Sequence, residues 1–369
     1  MNRPLLTICL PTYQGGKFLA EQLDSLLPQI AQFSQDVELS LCDDHSTDDT
    51  WEIVLRYRNK SPFRIERNAE RLTSVTNFHK LITTMAEGEY IWLLGQDDPV
   101  APGAIERIVT ALRQNSDVDA FYLNYRFRLP CSEAHTPGES AYAHFHESLL
   151  KEAHEDMRVE RWQDLVQTDG WLGTGMGTNV LRRSLWLKYW EANPPAKDFT
   201  WSGKGLPQCN PHSYLIADYC LNRPAYFVAT PVMTLTGGTA VWHESRNVVF
   251  QRWYPHQLKH FRKRGLSAKA YEYHARWVYD LSSWTLREEL NQTSRPIAMV
   301  ALTFLREHAL EWHAWRAVAK AIKGCDRLAR LKRSVRRLCG GGPTTTTGVP
   351  TSASSVTPDP TRTTFRAKR

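Results

Sequence analysis

The sequence predicts an α/β fold, a mainly parallel sheet with helices on both faces, followed by a helical C-terminal region. Short apolar runs alternate with segments of helical spacing over residues 1–125, each apolar run breaks into a polar turn-forming cluster, and strand-like alternation vanishes after residue 245. Alternation of this kind demands parallel strands joined by crossover helices. Right-handed crossovers then bring the carboxyl ends of the strands to one edge, where such folds bind ligands.

The first run, Leu5 to Leu10, ends at Pro11-Thr12-Tyr13, and Gly15-Gly16 leads into a helix marked by Leu19, Leu23, Leu26 and Leu27. A second strand, Val37 to Cys42, enters the polar cluster Asp43 to Thr50. There Ser46 or Thr47 stands near the cap of a helix that carries Trp51, Val54, Leu55 and Tyr57. A third short strand is expected at Phe63 to Ile65, a helix from Val75 to Met85, and a strand from Tyr90 to Leu94. That last strand runs into Gly95-Gln96-Asp97-Asp98 and stops at Pro99. A helix through Ala104, Ile105, Ile108, Val109 and Leu112 and a strand from Ala120 to Leu123 follow.

Two adjacent carboxylates at the end of a parallel strand repel unless a cation or strong donors offset them. Asp97 and Asp98 therefore suit a divalent metal, and they equally fit a polar loop that caps the next helix. Pro11-Thr12-Tyr13 and Asp43-Asp44 fall at the same edge. Neither a Gly-x-Gly-x-x-Gly turn after the first strand nor a Gly-Lys-Ser/Thr loop is present, which argues against dinucleotide oxidoreductases and P-loop ATPases. A nucleotide site read by carboxylates and completed by a cation remains, the cation stabilising a departing diphosphate.

The stretches PTYQGG at 11–16, ELSLCDDHSTDDT at 38–50, NAERLTSVTNF at 68–78 and GEYIWLLGQDDPVAPGAI at 88–105 resemble the N-terminal half of family 2 glycosyltransferases of the GT-A fold. The Gln-Asp-Asp order is similar to that of bacterial surface-polysaccharide sugar transferases of the rhamnosyltransferase and abequosyltransferase type. The resemblance implies that Pro11, Thr12 and Tyr13 line the base and ribose of a nucleotide-diphospho-sugar and that Asp44 accepts a hydrogen bond from the base. It further implies that Asp43, Asn77, Gln96 and Asp98 complete the donor site and that Asp97 binds Mg2+ or Mn2+. One departure is Gly95, where many relatives carry an acid.

The same resemblance divides residues 1–245 into a nucleotide-sugar half, 1–125, and an acceptor half, 126–245. An inverting transferase needs a base for the acceptor hydroxyl. In the family this is an acid some twenty residues before a Pro-bearing strand, here Ala225 to Val232, but the corresponding stretch Gln208 to His212 holds no carboxylate. His212 is the first substitute, with Asp169 and Asp218 next. Gly175 to Asn179, within a glycine-rich stretch, are acceptor-side candidates or a tight turn. The His-rich stretch 130–160 reads as a solvated loop over the donor site, with metal binding by its histidines the alternative. His243 stands where relatives return a polar loop over the diphosphate, which makes it a second metal candidate or a surface residue.

Residues 1–245 hold 22 Lys and Arg against 31 Asp and Glu, whereas residues 246–340 hold 20 against 7. An acidic body thus carries a basic helical region. Its aromatic stripes, at Phe250, Trp253, Tyr254, Leu258 and Phe261 and again at Tyr271, Trp277, Val278, Leu281 and Trp284, fit packing. Lys and Arg interleaved with apolar residues from Trp312 to Leu338 suit peripheral contact with an anionic membrane, and an acidic fold-bearing body argues against nucleic acid as a partner. Residues 341–369, rich in Thr, Ser and Pro, are expected to be disordered. The seven cysteines have no paired metal spacing and read as reduced thiols. No secretory pattern opens the chain, so the cytoplasm, with placement on the inner face of the plasma membrane, is the expectation.

The expected activity is inverting transfer of sugar to a hydroxyl of a glycan or lipid-linked saccharide in cell-surface polysaccharide biosynthesis. Sugar transfer to polyprenyl phosphate, which needs no base, and a non-catalytic nucleotide-sugar-binding relic are the alternatives.

Overall fold

The computed structural model describes residues 3–130, 145–149, 155–167, 172, 175–196, 210–236 and 246–329. Asp169, His243, Cys131, Cys209, Cys339, much of the glycine-rich stretch and the tail 341–369 lie outside the described residues. The chain forms two compact units, Met1–Glu244 with Gln257–Tyr271, and Ser245–His256 with Glu272–Arg369. Residues 257–271, expected with the basic region, therefore belong to the first unit.

The first unit is built on β1 (Leu6–Thr12), α1 (Leu19–Gln32), β2 (Val37–Asp43), α2 (Thr50–Arg58), β3 (Arg64–Arg67), α3 (Ser74–Lys80), β4 (Tyr90–Leu93) and α4 (Ala104–Gln114). There follow β5 (Ala120–Pro130), β6 (Phe145–Leu149), β7 (Met157–Val159), β8 (Asn179–Arg182), α5 (Arg183–Ala192), α6 (Pro211–Leu215) and β9 (Ala225–Thr236). The expected helix to Met85 is realised as α3 continued by a wider turn over Leu81–Met85.

These strands form one sheet in the order β3-β2-β1-β4-β8-β5-β9-β7, with β6 paired to β5. β1, β2, β3 and β4 pair in parallel, and β5 pairs in parallel with β9. β1 and β4 read as continuous apolar runs because both their faces are covered: Leu6, Ile8, Leu10, Tyr90, Ile91 and Trp92 have no exposed surface. Helix α1 turns Leu19, Leu23, Leu26 and Leu27 inward, which is the face its spacing predicts.

Two features of the sheet depart from expectation. β8 is inserted between β4 and β5 and runs antiparallel to both. β5 does not stop at Leu123 but passes a bulge between Leu123 and Tyr125 and pairs with β9 as far as Arg128 opposite Thr236. Polar residues at Asn124, Arg126 and Arg128 hide this second half from a hydrophobicity reading. Through it the end of β9 reaches the acidic loop, where Thr234 N donates to Pro99 O over 2.9 Å.

The second unit is helical as expected. It contains α7 (Arg246–Val248), the first residues of α8 (Tyr254–Lys263), α9 (Ala268–Gln292) from Glu272 onward, α10 (Ile297–His308) and α11 (Trp312–Lys323). Its aromatic stripe packs internally: Tyr254 stacks on Trp277 with centroids 5.7 Å apart, and buried His313 lies parallel to Tyr279 at 5.9 Å. Cys9, Cys42, Cys220 and Cys325 are buried free thiols.

Candidate active site

Parallel pairing of β1 with β2 and β4 brings three loops to one edge, with Thr12 opposite Asp43 and Cys9 opposite Leu93. The loops are stitched together by amides and hydroxyls. Tyr13 N donates to Gln96 Oε1 over 2.9 Å, and Gln96 Nε2 returns a bond of 3.0 Å to Tyr13 O. Gln14, in the left-handed region at φ 50°, donates from its backbone to Ser46 Oγ over 3.0 Å, and its side-chain oxygen accepts from Thr47 N at 2.8 Å. A Cβ on Gly15 would sit 2.3 Å from Gln96 Oε1, so the bare glycine is what lets the first and third loops close on each other.

Asp43 ends β2 and Asp44 follows it, both buried but with different partners. Asp43, expected on the donor, is instead wholly buried. Its carboxylate accepts from Ser46 N at 3.0 Å, Ser46 Oγ at 2.5 Å and Thr12 Oγ1 at 3.2 Å, and pairs with Arg67 Nε at 3.3 Å. It braces the loop and has no face left for a ligand. Asp44 Oδ1 accepts from Asn68 Nδ2 and from Leu72 N, each at 2.9 Å, whereas its Oδ2 takes no hydrogen bond from the described residues. One oxygen is fixed and the other is available.

Asn77, also expected on the donor, is buried beneath this loop. It donates to Cys42 O over 2.9 Å and accepts from Asn68 Nδ2 at 3.3 Å. Asn68, which the sequence did not single out, joins Asp44 and Asn77 and accepts from Lys80 Nζ at 2.8 Å. Arg71 was also missed. Its guanidinium lies 4.2 Å from the centroid of the Tyr13 ring, so a cation and an aromatic face border the loop edge together.

In the acidic loop Asp97 is half-exposed and Asp98 is buried. Asp98 Oδ1 accepts from Thr236 N at 2.8 Å, and Thr236 Oγ1 donates to Asp97 O over 2.5 Å. Burial first, and the neighbouring Asp97 second, push the Asp98 carboxyl well above the usual carboxylate range, while Arg128 and the backbone donors pull it back. Arg128, itself buried, donates from Nε to Thr236 Oγ1 over 2.8 Å and reaches Asp97 O at 3.5 Å. Neither Arg128 nor Thr236 was legible as a site residue. The place where relatives carry an acid is filled from the other direction: a Cβ on Gly95 would lie 2.4 Å from Asp98 Oδ2 and 3.1 Å from Asp97 Oδ1.

The paired carboxylates fit a hard divalent cation, because their mutual repulsion is only partly offset by Arg128. Among the described residues no group of three His, Cys, Asp or Glu side chains is placed to hold a metal.

The candidate bases fare differently. His212 is buried in the first turn of α6. Asp218, in the turn Ile216–Cys220 after α6, meets His260 Nε2 at 2.6 Å and Arg264 Nε at 2.7 Å. The His260 ring and the Arg264 guanidinium hold its carboxylate on α8 and its neighbouring loop, so Asp218 is committed to contacts within the fold. Asp169 and the metal candidate His243 lie outside the described residues.

Comparison with known proteins fits this geometry. Residues 7–166 match the family model for glycosyl transferase family 2. This segment is similar to family 2 glycosyltransferase domains. The chain is 34% identical over 116 residues to abequosyltransferase RfbV of Salmonella typhimurium, which covers 31% of this chain and 34% of that protein. It is 28% identical over 123 residues to a chondroitin synthase of Escherichia coli, covering 33% of this chain and 17% of the synthase. The matched stretch thus spans about a third or less of these relatives. The structure of S. aureus TarS 1–349 overlays with a TM-score of 0.50 at 15% identity, covering 89% of this chain and 91% of that one. That likeness supports the GT-A fold, as the sequence predicted.

Proposed function

We propose that the protein transfers a sugar, with inversion, from a nucleotide-diphospho-sugar to a hydroxyl of a glycan or lipid-linked saccharide in cell-surface polysaccharide biosynthesis. The observation that carries this reading is the pairing of Asp44, one oxygen locked and one available, with a half-exposed Asp97 one loop away. Asp44 Oδ2 accepts an N–H from the base edge. Tyr13 and Arg71 border the base and ribose, and Gln96 keeps the first loop in register with the third. Thr12, whose hydroxyl is committed to Asp43, and Pro11 shape the floor.

Asp97 would hold Mg2+ or Mn2+, with Asp98 behind it and His243 as the second candidate ligand. The cation, when bound, supplies positive charge to the diphosphate as it departs. The chain itself supplies a fixed carboxylate. Thr236 and Arg128 lock the loop backbone, so little reorganisation is needed when a donor enters. For the acceptor proton His212 is the first candidate and Asp169 the next. A second reading, transfer to polyprenyl phosphate, gains weight from the ion pairs of Asp218: with that carboxylate engaged, an acceptor that is already anionic needs no base.

No helix among the described residues is long and apolar enough to cross a membrane. The protein is proposed to work in the cytoplasm, with the basic region making peripheral contact with the anionic inner face of the plasma membrane. A thermal-shift panel of nucleotide sugars, run with and without Mn2+, tests the donor site. One donor should raise Tm in the presence of the cation, and a flat response to every donor would sink the reading.

A further inference from the structure

Seven large hydrophobic side chains of the described residues are exposed, and five of them, Met299, Leu302, Leu310, Trp312 and Trp315, fall between 299 and 315. They are not scattered around their helices. On α10, Met299 and Leu302 share a face with Arg306, and Leu310 continues that line beyond the helix at spacing i+11. On α11, Trp312 and Trp315 share a face with Ala319 and Lys323, flanked by Arg316 and Lys320, while His313, Ala314, Ala317, Val318 and Ala321 bury the opposite face. Leu310 and Trp312 join the two faces at the corner between the helices.

Charge accompanies the apolar side chains. Residues 295–329 hold six Lys and Arg against three acids. Arg306 and Lys323 have no acidic partner among the described residues. Arg316 and Lys320 share only the half-exposed Asp280, at 3.4 and 3.1 Å. Their long stems let the charges reach beyond the exposed rings. The Trp312 ring is covered by the Arg316 guanidinium at 5.5 Å, and Trp315 Nε1 donates to Ala309 O over 2.8 Å, so both rings are held in place on the surface.

We infer that this α10–α11 corner is a bilayer-docking surface: Trp312, Trp315, Leu302, Leu310 and Met299 enter the interfacial layer, and Arg306, Arg316, Lys320 and Lys323 contact anionic lipid headgroups. Tryptophan with aliphatic residues between cations is the chemistry of an interface that is apolar on one side and anionic on the other. A second copy of the chain fits less well. A twofold contact through this face would set its cations against one another, and five apolar side chains fall far short of the roughly 20–30 residues per side of a stable protein interface. The inference rests on the membrane contact of the proposed function but not on its chemistry.

Sedimentation of the full chain with vesicles tests it, using phosphatidylcholine alone or mixed with phosphatidylglycerol. Wild type should sediment with the anionic vesicles and be released by salt. The Trp312→Ala/Trp315→Ala double variant should partition about tenfold more weakly. Leu302→Ser/Leu310→Ser, at more exposed positions, should weaken it in the same direction if the tryptophan pair perturbs folding. Lys323→Gln with Arg306→Gln should lose the preference for anionic over neutral vesicles. Asp97→Ala should bind vesicles like wild type, so a failed transferase reading leaves this result standing and a failed docking surface leaves donor binding standing. Equal binding of wild type and both apolar variants would overturn the proposal. So would absence of vesicle binding by wild type, or a dimer in sedimentation velocity that the tryptophan variant dissolves.

Discussion

The loop after β2 and the loop after β4 both open with acidic residues at the same edge of the sheet, yet they resolve their charge in opposite ways. Asp43 is wholly buried, with Ser46, Thr12 and Arg67 offset against it. Asp98 is also buried, and burial first and the neighbouring Asp97 second raise its pKa against the pull of Arg128 and the backbone donors. The first arrangement is complete without a ligand. The second sets a buried carboxyl of raised pKa beside a half-exposed carboxylate, the arrangement on which the proposed cation edge rests. Partners, not residue type, set the two loops apart.

Substituting one aspartate in each loop should separate these two roles. Asp97→Ala should cut sugar-nucleotide turnover by about 10^3-fold. Its unfolding free energy should stay within about 0.5 kcal/mol of wild type or rise, because a like charge beside Asp98 is removed. Asp43→Ala should do the reverse in stability, losing about 3 kcal/mol as Ser46, Thr12 and Arg67 lose a buried acceptor. Urea unfolding together with a coupled assay of released nucleoside diphosphate reads both. Equal stability losses for the two variants would erase the contrast.

The comparison can be sharpened at Gly95, where the acidic loop is packed most tightly. Gly95→Ala places a methyl 2.4 Å from Asp98 Oδ2, a carboxylate that Thr236 N already fixes. The side chain must turn away, and the variant should lose about 2 kcal/mol of stability. Mn2+ affinity, measured by titration calorimetry with donor present, should change with it, because Asp97 and Asp98 move as one loop. A variant as stable as wild type would show that the Asp98 carboxylate is not held where the hydrogen bond to Thr236 places it.

Much of this was legible in the residues. Period and punctuation located β1, β2, β4 and their helices, and the three polar clusters fell at one edge because parallel strands leave no other arrangement. The partners of those clusters were not legible. Thr236 lies 139 positions from Asp97 and Arg128 31 positions, and nothing in local spacing announces that a bulged β5 and the end of β9 will bring them to the acidic loop. Asp43 and Asp44 are neighbours of identical type, so only their partners in three dimensions, Ser46, Thr12 and Arg67 for one and Asn68 and Leu72 for the other, tell them apart. β8 was hidden for another reason: four residues after a run of glycines carry too short a pattern to reveal a strand that pairs against both neighbours.

The smallest effect probes the support under the first loop. His79 lies on α3 between Asn77 and Lys80, both of which bond to Asn68 and through it brace Asp44. Its ring meets Trp190 edge-on at 5.3 Å, and burial lowers its pKa below the ordinary 6.5. A depressed imidazole pKa favours the neutral ring in the folded state, so this contribution to stability is present above pH 6.5 and is lost as pH falls through the lowered folded value. Denaturant midpoints measured from pH 8 down to pH 5 should therefore decline more steeply for wild type than for His79→Gln, and donor affinity should decline in parallel through Asp44. Should affinity hold while stability falls, α3 would brace the fold without bracing the ligand edge, and the acidic loop alone would set the pH response of binding.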